Sequence, residues 1–361
     1  MIYLDYQATT PLAPEAREAM LQWLDGPDGS GFGNPHSPHR LGRRAEAAVE
    51  LARERVAALF PPGGQLIFTS GATEALNIAL RGCEPGRARK STAVSAIEHS
   101  AVLNTALDLP GDTTILPVDH DGLVDPQVAL PEGVGIVSVM QVNNEIGTIQ
   151  PVADLYERAR AQGALFVCDA VQAAGKLPIA EADLIAVSAH KFHGPKGIGA
   201  LWVRDRVELA PHTTGGGQEG GLRSGTLSPA LCAGMGAAAE VARERMAEDA
   251  AHVSALWHHA RDLFAGWQLN GSAEHRYRGN LNIRRDGIDV ARLMSDAREV
   301  MFSAGSACAS ESGKPSRILA AIGLTPEQAR GSIRLGFGRY TTVEQLEQAA
   351  ELIDNAAAQQ E

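Results

Sequence analysis

Lysine is scarce in this 361-residue chain: Lys90, Lys176, Lys191, Lys196 and Lys314 are the only five among 32 basic residues. Chemistry that needs a lysine amine therefore has few candidates. No apolar run approaches the roughly 18–20 residues that span a bilayer. The opening Met1-Ile2-Tyr3-Leu4-Asp5 has neither the basic start nor the apolar stretch of a secretory signal, so neither membrane nor export is expected. Positive charge is in deficit. A net charge of −11 disfavours both nucleic acid and anionic lipid as partners. The four cysteines (83, 168, 232 and 308) form no C-x-x-C, no metal-ligand spacing and no disulfide framework. No metal is expected, and a reducing cytoplasm is the expected compartment. The chain also lacks a G-x-G-x-x-G after its first strand, which excludes a nicotinamide-dependent oxidoreductase of the usual kind. Internal repeats, low-complexity segments and long linkers are missing too.

What is present is an ordinary globular composition, 44% hydrophobic and 21% charged, long enough for two domains. Short apolar runs predict strands at Gln65–Thr69, Thr92–Ser95, Thr114–Leu116, Ile136–Met140, Leu165–Cys168, Leu184–Val187 and Ala200–Val203. Helical patterns fall between them, at Arg40–Phe60, Glu74–Arg81, Ala101–Leu107 and Val152–Gln162. Such alternation predicts an α/β fold: a large domain with a mainly parallel sheet covered by helices. Beyond about residue 250 the pattern changes to longer helices and shorter strands (Arg278–Ile283, Ser332–Leu335), which predicts a smaller α+β domain. The expected division is a large domain over 15–250 and a small one over 1–14 and 251–361. Cys168 and Cys232 read as core, and Cys83 as incidental in a Gly/Pro turn.

In parallel sheets, ligands bind beyond the carboxyl ends of the strands, and the polar clusters of this chain fall there. Ser188-Ala189-His190-Lys191 ends one apolar run, and Asp169 ends another. A lysine and a carboxylate at neighbouring strand ends are the two protein groups that pyridoxal phosphate (PLP) needs. The amine forms a Schiff base with its aldehyde, and the carboxylate pairs with its ring nitrogen. Taken singly, each has a plainer reading, as a solvated charge or a helix cap. The Ser70-Gly71-Ala72-Thr73-Glu74 turn reads both as a capping arrangement and as a phosphate site at a helix N-terminus. His99 can stack on an aromatic ring and move protons. Asn144 and Gln172 carry amides suited to the cofactor's phenolic oxygen. The set, not any member, carries the reading.

Cys308 sits among small and polar neighbours in Ser303-Ala304-Gly305-Ser306-Ala307-Cys308-Ala309-Ser310, a loop pattern rather than a core one. On its own it is as readily a loop residue as a nucleophile. Beside a PLP site, a movable thiol suggests sulfur chemistry.

Ten motifs in order along the chain, among them DYQATT (5–10), SGATEALN (70–77), EHSAVL (98–103), NNEIGTIQP (143–151), CDAVQ (168–172), SAHKFHGPKGIGAL (188–201), GGGQEGGLRSGT (215–226), GSACAS (305–310) and SIRLGFGRYT (332–341), resemble the cysteine desulfurases. Those are PLP enzymes of the class V aminotransferase group with the fold type I transferase architecture. The resemblance implies that Lys191 holds PLP, that Asp169 meets the ring nitrogen and that His99 stacks on the ring. Gln172 and Asn144 would face the phenolic oxygen, Asn144 also facing the substrate. Ala72, Thr73, Ser188 and His190 would bind the phosphate, joined by Thr226 from the other subunit of a homodimer. Arg334 would grip the carboxylate of L-cysteine. Lys191 would move the α-proton, His99 would serve the sulfur groups, and Cys308 would take the sulfur as a persulfide, leaving alanine. The sulfur would pass to an acceptor protein, an iron–sulfur scaffold or a thiolation pathway. Gly220 departs from the pattern, standing where relatives often carry arginine. The competing readings are a selenocysteine lyase or another class V aminotransferase, and a non-catalytic PLP-fold partner protein.

Overall fold

The computed structural model describes residues 1–83, 91–305 and 316–360. Its centre is a seven-stranded sheet in the order Gly64–Thr69, Gly199–Arg204, Leu184–Ser188, Leu165–Asp169, Ile136–Ser138, Thr92–Ser95, Thr113–Leu116. All neighbours run parallel except around Gly199–Arg204, which is antiparallel to both of its partners. The other six strands therefore present their carboxyl ends along one edge. Every residue of Leu184–Ser188 is buried, the near-continuous apolar pattern expected of a strand covered on both faces. Each such Leu, Ile or Val withdrawn from water contributes roughly 1.5–3 kcal/mol.

A 35-residue helix, Pro229–Leu263, packs against helices Arg40–Ala57 and Pro14–Leu21. Ser228 caps it by accepting from the Leu231 N–H, and Pro229 starts it where a missing N–H costs nothing. Its small residues let these two helices approach. A Cβ built on Gly236 would lie 2.8 Å from Ala52 Cα of helix Arg40–Ala57, and one on Gly234 would meet Met20 and Pro195. Helix Pro14–Leu21 carries Met20. Pro195 belongs to the loop that follows Lys191, so this packing reaches the candidate site.

Past residue 263, an antiparallel sheet forms in the order Ser303–Ala304, Ser332–Gly336, Asn280–Arg284, Gln268–Leu269. The first residues join this region. Ile2–Tyr3 pairs in parallel with Val300–Met301, and Asp5 bridges to Gly336. Helix Val343–Ala358 begins at a capping box between Thr342 and Gln345.

The predicted strands all form, with ends shifted by at most two residues. Cys168 and Cys232 are core residues, as expected. Cys83 differs. It is 1% exposed, packed among the apolar residues behind helix Ala72–Gly82, because it caps that helix on its inward side. Among the described residues, no helix is long and apolar enough to cross a membrane, and no cluster could hold a metal ion.

Candidate active site

Five parallel strands deliver their last residues to one cavity of about 490 Å³, within the usual range for a small-molecule site. Gly71 to Glu74 follow the first strand, His99 the second, Asn144 a third, Asp169 ends a fourth, and Ser188 ends a fifth, which His190 and Lys191 follow. Arg334 enters from the smaller sheet. Of the residues that sequence singled out, Ala72, Thr73, His99, Asn144, Asp169, Gln172, Ser188, His190, Lys191 and Arg334 all line this cavity. Thr226 is exposed and does not. Cys308 lies outside the described residues.

Lys191 occupies a single 3₁₀ turn, Ala189–Lys191, directly after its strand. Its Nζ donates to the carbonyls of Gln7 (2.6 Å) and Ala8 (2.8 Å). The DYQATT segment thus supplies an acceptor cradle for the amine. Thr10 in turn ties that segment to the lysine turn, donating from both its N–H and its Oγ1 to the His190 carbonyl.

Asp169 is 4% exposed and accepts from the Val171 N–H at 3.0 Å. Burial pushes its carboxyl above the usual range, while His99 and Lys191 pull it back. A protonated ring nitrogen would be a further cation holding it ionised. His99 caps helix Ser100–Leu107 by accepting from the Ala101 N–H at Nδ1, which fixes its ring beside the cavity. Glu98, fully buried just before it, is pushed up to about 8 by desolvation. Ser95 Oγ and the Met140 N–H both donate to its Oε1.

The phosphate side is built from backbone. Gly71 precedes helix Ala72–Gly82, whose first N–H groups face the cavity with the dipole's positive end. Gly199 permits the close approach behind it, for a Cβ there would sit 2.7 Å from Gly71 Cα. Glu74 accepts from the Ser70 N–H and from Arg223 Nε (2.9 Å), tying the glycine-rich loop to this turn. In that loop Gly220 takes φ +64°, a left-handed conformation that an arginine would adopt only with strain. Burial and the neighbouring lysines lower the His190 imidazole to about 4, so it is neutral here.

Arg334 is 1% exposed. Its Nη1 donates to the Asn144 carbonyl (3.0 Å), and Nη2 to Asp5 Oδ1 (2.8 Å) and Ser303 Oγ (3.1 Å). Two buried polar atoms at this end, Arg334 Nε and Asn144 Oδ1, have no partner among the described residues. Orphan atoms of this kind call for a ligand. With the amine of Lys191, the buried Asp169 and the open helix N-terminus, the residues fit PLP together with an amino-acid carboxylate.

Sequence reasoning missed several contributors. Gln7 and Ala8 act through carbonyls, which no residue type announces. Lys196 and Gly197 also line the cavity. Asp5 lay within a motif quoted for its resemblance, and its pairing with Arg334 spans 329 positions.

The aminotransferase class-V family model matches residues 2–349. The cysteine desulfurase IscS of Colwellia psychrerythraea is 42% identical, over 98% of this chain and 92% of that protein. Among solved structures, a NifS-like protein superposes with a TM-score of 0.90 at 32% identity, covering 99% of both chains. A structure described as SspA in complex with cysteine gives a TM-score of 0.82 at 32% identity, over 95% of this chain and all of that one.

Proposed function

We propose, on the premise that the chain belongs to the aminotransferase class-V family and is a PLP-dependent cysteine desulfurase, that Lys191 holds the cofactor in this cavity and that Cys308 receives the substrate's sulfur. The observation that supports the residue roles is the convergence of Lys191, Asp169, His99, Gln172 and Arg334 on one cavity from separate strands and loops.

When bound, PLP supplies an aldehyde that condenses with amines and a ring that withdraws electrons from the substrate's α-carbon. Arg334 binds the carboxylate of L-cysteine through its unpartnered Nε edge, while Asp5 and Asn144 fix the rest of the guanidinium. Lys191 Nζ takes the α-proton and is steadied between turns of the reaction by the Gln7 and Ala8 carbonyls. Asp169 keeps the ring nitrogen protonated. His99, aimed by its helix cap, would hold the cofactor ring and carry protons to and from sulfur. The Cys308 thiolate attacks the substrate sulfur, the Cβ–S bond breaks, and alanine leaves with the sulfur retained as a Cys308 persulfide.

The same reading assigns residues 15–250 to a cofactor-binding domain and 1–14 with 251–361 to a smaller one. Thr226, exposed on the loop that Arg223 ties to Glu74, would complete the phosphate site of a second copy in a homodimer. A sulfur-acceptor protein in the cytoplasm, such as an iron–sulfur scaffold, would take the persulfide onward.

The test mixes purified protein with L-cysteine and quantifies sulfide, under reductant, and alanine. Wild type is expected to yield both in equal amounts, and Cys308→Ala to keep its bound cofactor while losing at least 99% of the rate. A fully active Cys308→Ala protein would remove the thiol from the mechanism.

A further inference from the structure

Lys176 is a cation for which the reaction above provides no task. It is half-buried in the turn after Gln172, with Nζ 5.3 Å from the centroid of the Tyr277 ring. Its Nζ donates to Gln172 Oε1 at 3.0 Å. At the other end of the same carboxamide, Gln172 Nε2 donates to the Gln7 carbonyl at 3.0 Å, the carbonyl that also receives Lys191 Nζ. A continuous chain thus runs from Lys176 through Gln172 and Gln7 to Lys191.

The two ends of the Gln172 amide make the same demand. A backbone carbonyl only accepts, and an ammonium only donates. Oε1 must therefore face Lys176, and Nε2 must face Gln7, leaving the second Nε2 hydrogen for the cavity that Gln172 lines. Without Lys176, Oε1 of this buried side chain would lose the donor it has here, and the amide would gain by turning to find another. Burial beside Lys191 lowers the Lys176 amine to about 7. As the ammonium it can only donate; the neutral amine can also accept, and above that value the Gln7 carbonyl alone keeps Nε2 in place.

We propose that Lys176 is a positioning residue: it locks the Gln172 carboxamide with Nε2 toward the cavity, where its free hydrogen serves the cofactor's phenolic oxygen. This rests on the reading that PLP occupies the cavity with that oxygen beside Gln172. A donor at the phenolic oxygen stabilises its negative charge. Losing the donor moves the pH midpoint of the bound cofactor's visible absorption upward, by about one unit for one hydrogen bond to a charged oxygen.

The experiment titrates the visible band of PLP-loaded wild type, Lys176→Met, Gln172→Ala and the double variant. It also measures PLP affinity of each apoprotein by equilibrium dialysis. Lys176→Met and Gln172→Ala are each expected to raise the midpoint by about one unit and to weaken PLP binding about tenfold. The double variant is expected to match Gln172→Ala, because Lys176 acts through Gln172. Lys176→Leu, which likewise carries no donor, is made alongside and is expected to shift the midpoint in the same direction. An unchanged midpoint in both Lys176 variants overturns the inference. So does a double variant that shifts well beyond Gln172→Ala, since Lys176 would then act directly through its charge. If wild type itself develops no visible band with PLP, the reading of the cavity fails instead.

Discussion

The floor of the cavity and its Arg334 wall are both polar, buried and close together, yet they are assembled differently. On the floor, each side chain sits at or within a few residues of a strand end, so strand register alone places Asp169, Ser188, His190, Lys191 and His99. The wall is stitched from four distant segments. Arg334 reaches Asp5, Asn144 and Ser303, at separations of 329, 190 and 31 residues. The floor's geometry follows from the sheet, whereas the wall's geometry depends on how the smaller sheet seats against it. The two should therefore fail differently when broken: the floor in the chemical step, the wall in substrate capture.

The largest effect is expected on the floor. Asp169→Asn removes the carboxylate that would keep the ring nitrogen protonated. The value of kcat should fall about 10²–10³-fold, the scale of losing one preorganised electrostatic contact. KM for L-cysteine should change by no more than about threefold, because Arg334 is untouched. A KM effect that dominates would break the distinction between floor and wall.

A smaller effect, of the opposite kind, is expected on the wall. Asp5→Ala leaves Arg334 Nη2 with Ser303 alone and frees the guanidinium to turn. KM for L-cysteine should rise about tenfold with little change in kcat. Asp5→Asn keeps an acceptor at the same place and should recover most of the loss, showing that aim matters more than the charge itself. If Asn behaves as Ala, the ion pair rather than the orientation is what Asp5 contributes.

The same contrast explains what the sequence could disclose. Floor residues stand next to one another in short motifs, and a lysine or aspartate ending an apolar run is visible without a structure. Strand ends fell within two residues of expectation because Val, Ile and Leu runs stop where the sheet does. The 35-residue helix Pro229–Leu263 leaves a weaker mark in the sequence. Packed against two other helices through Ala and Gly, it shows no clean apolar stripe. The Asp5–Arg334 pair and the Gln7 and Ala8 carbonyls were hidden for a different reason: tertiary pairing and backbone acceptors leave no residue-type signal. For Cys308 the sequence is still the whole ground, since it lies outside the described residues.

A last effect, on stability and not on rate, sharpens the floor itself, where two buried carboxylates neighbour each other. Burial pushes both Asp169 and Glu98 upward, but only Asp169 has His99 and Lys191 against it. Glu98 has Arg317, whose guanidinium donates to the Ala96 and Glu98 carbonyls rather than to the carboxyl. Glu98 Oε2 has no partner among the described residues. Glu98, at about 8, therefore keeps its proton in the folded protein at neutral pH, whereas an unfolded glutamate loses it near 4.3. Between those values the folded state binds the extra proton, so its stability falls as pH rises, by at most about 1.4 kcal/mol per pH unit from this group. Glu98→Gln mimics the protonated form and removes that slope. The variant should be little different from wild type at pH 4.5 and progressively the more stable of the two up to pH 8, read from urea midpoints across the range. Parallel midpoints would mean that Glu98 ionises in place, and that Asp169 shares the floor with a second negative charge instead of standing as its only one.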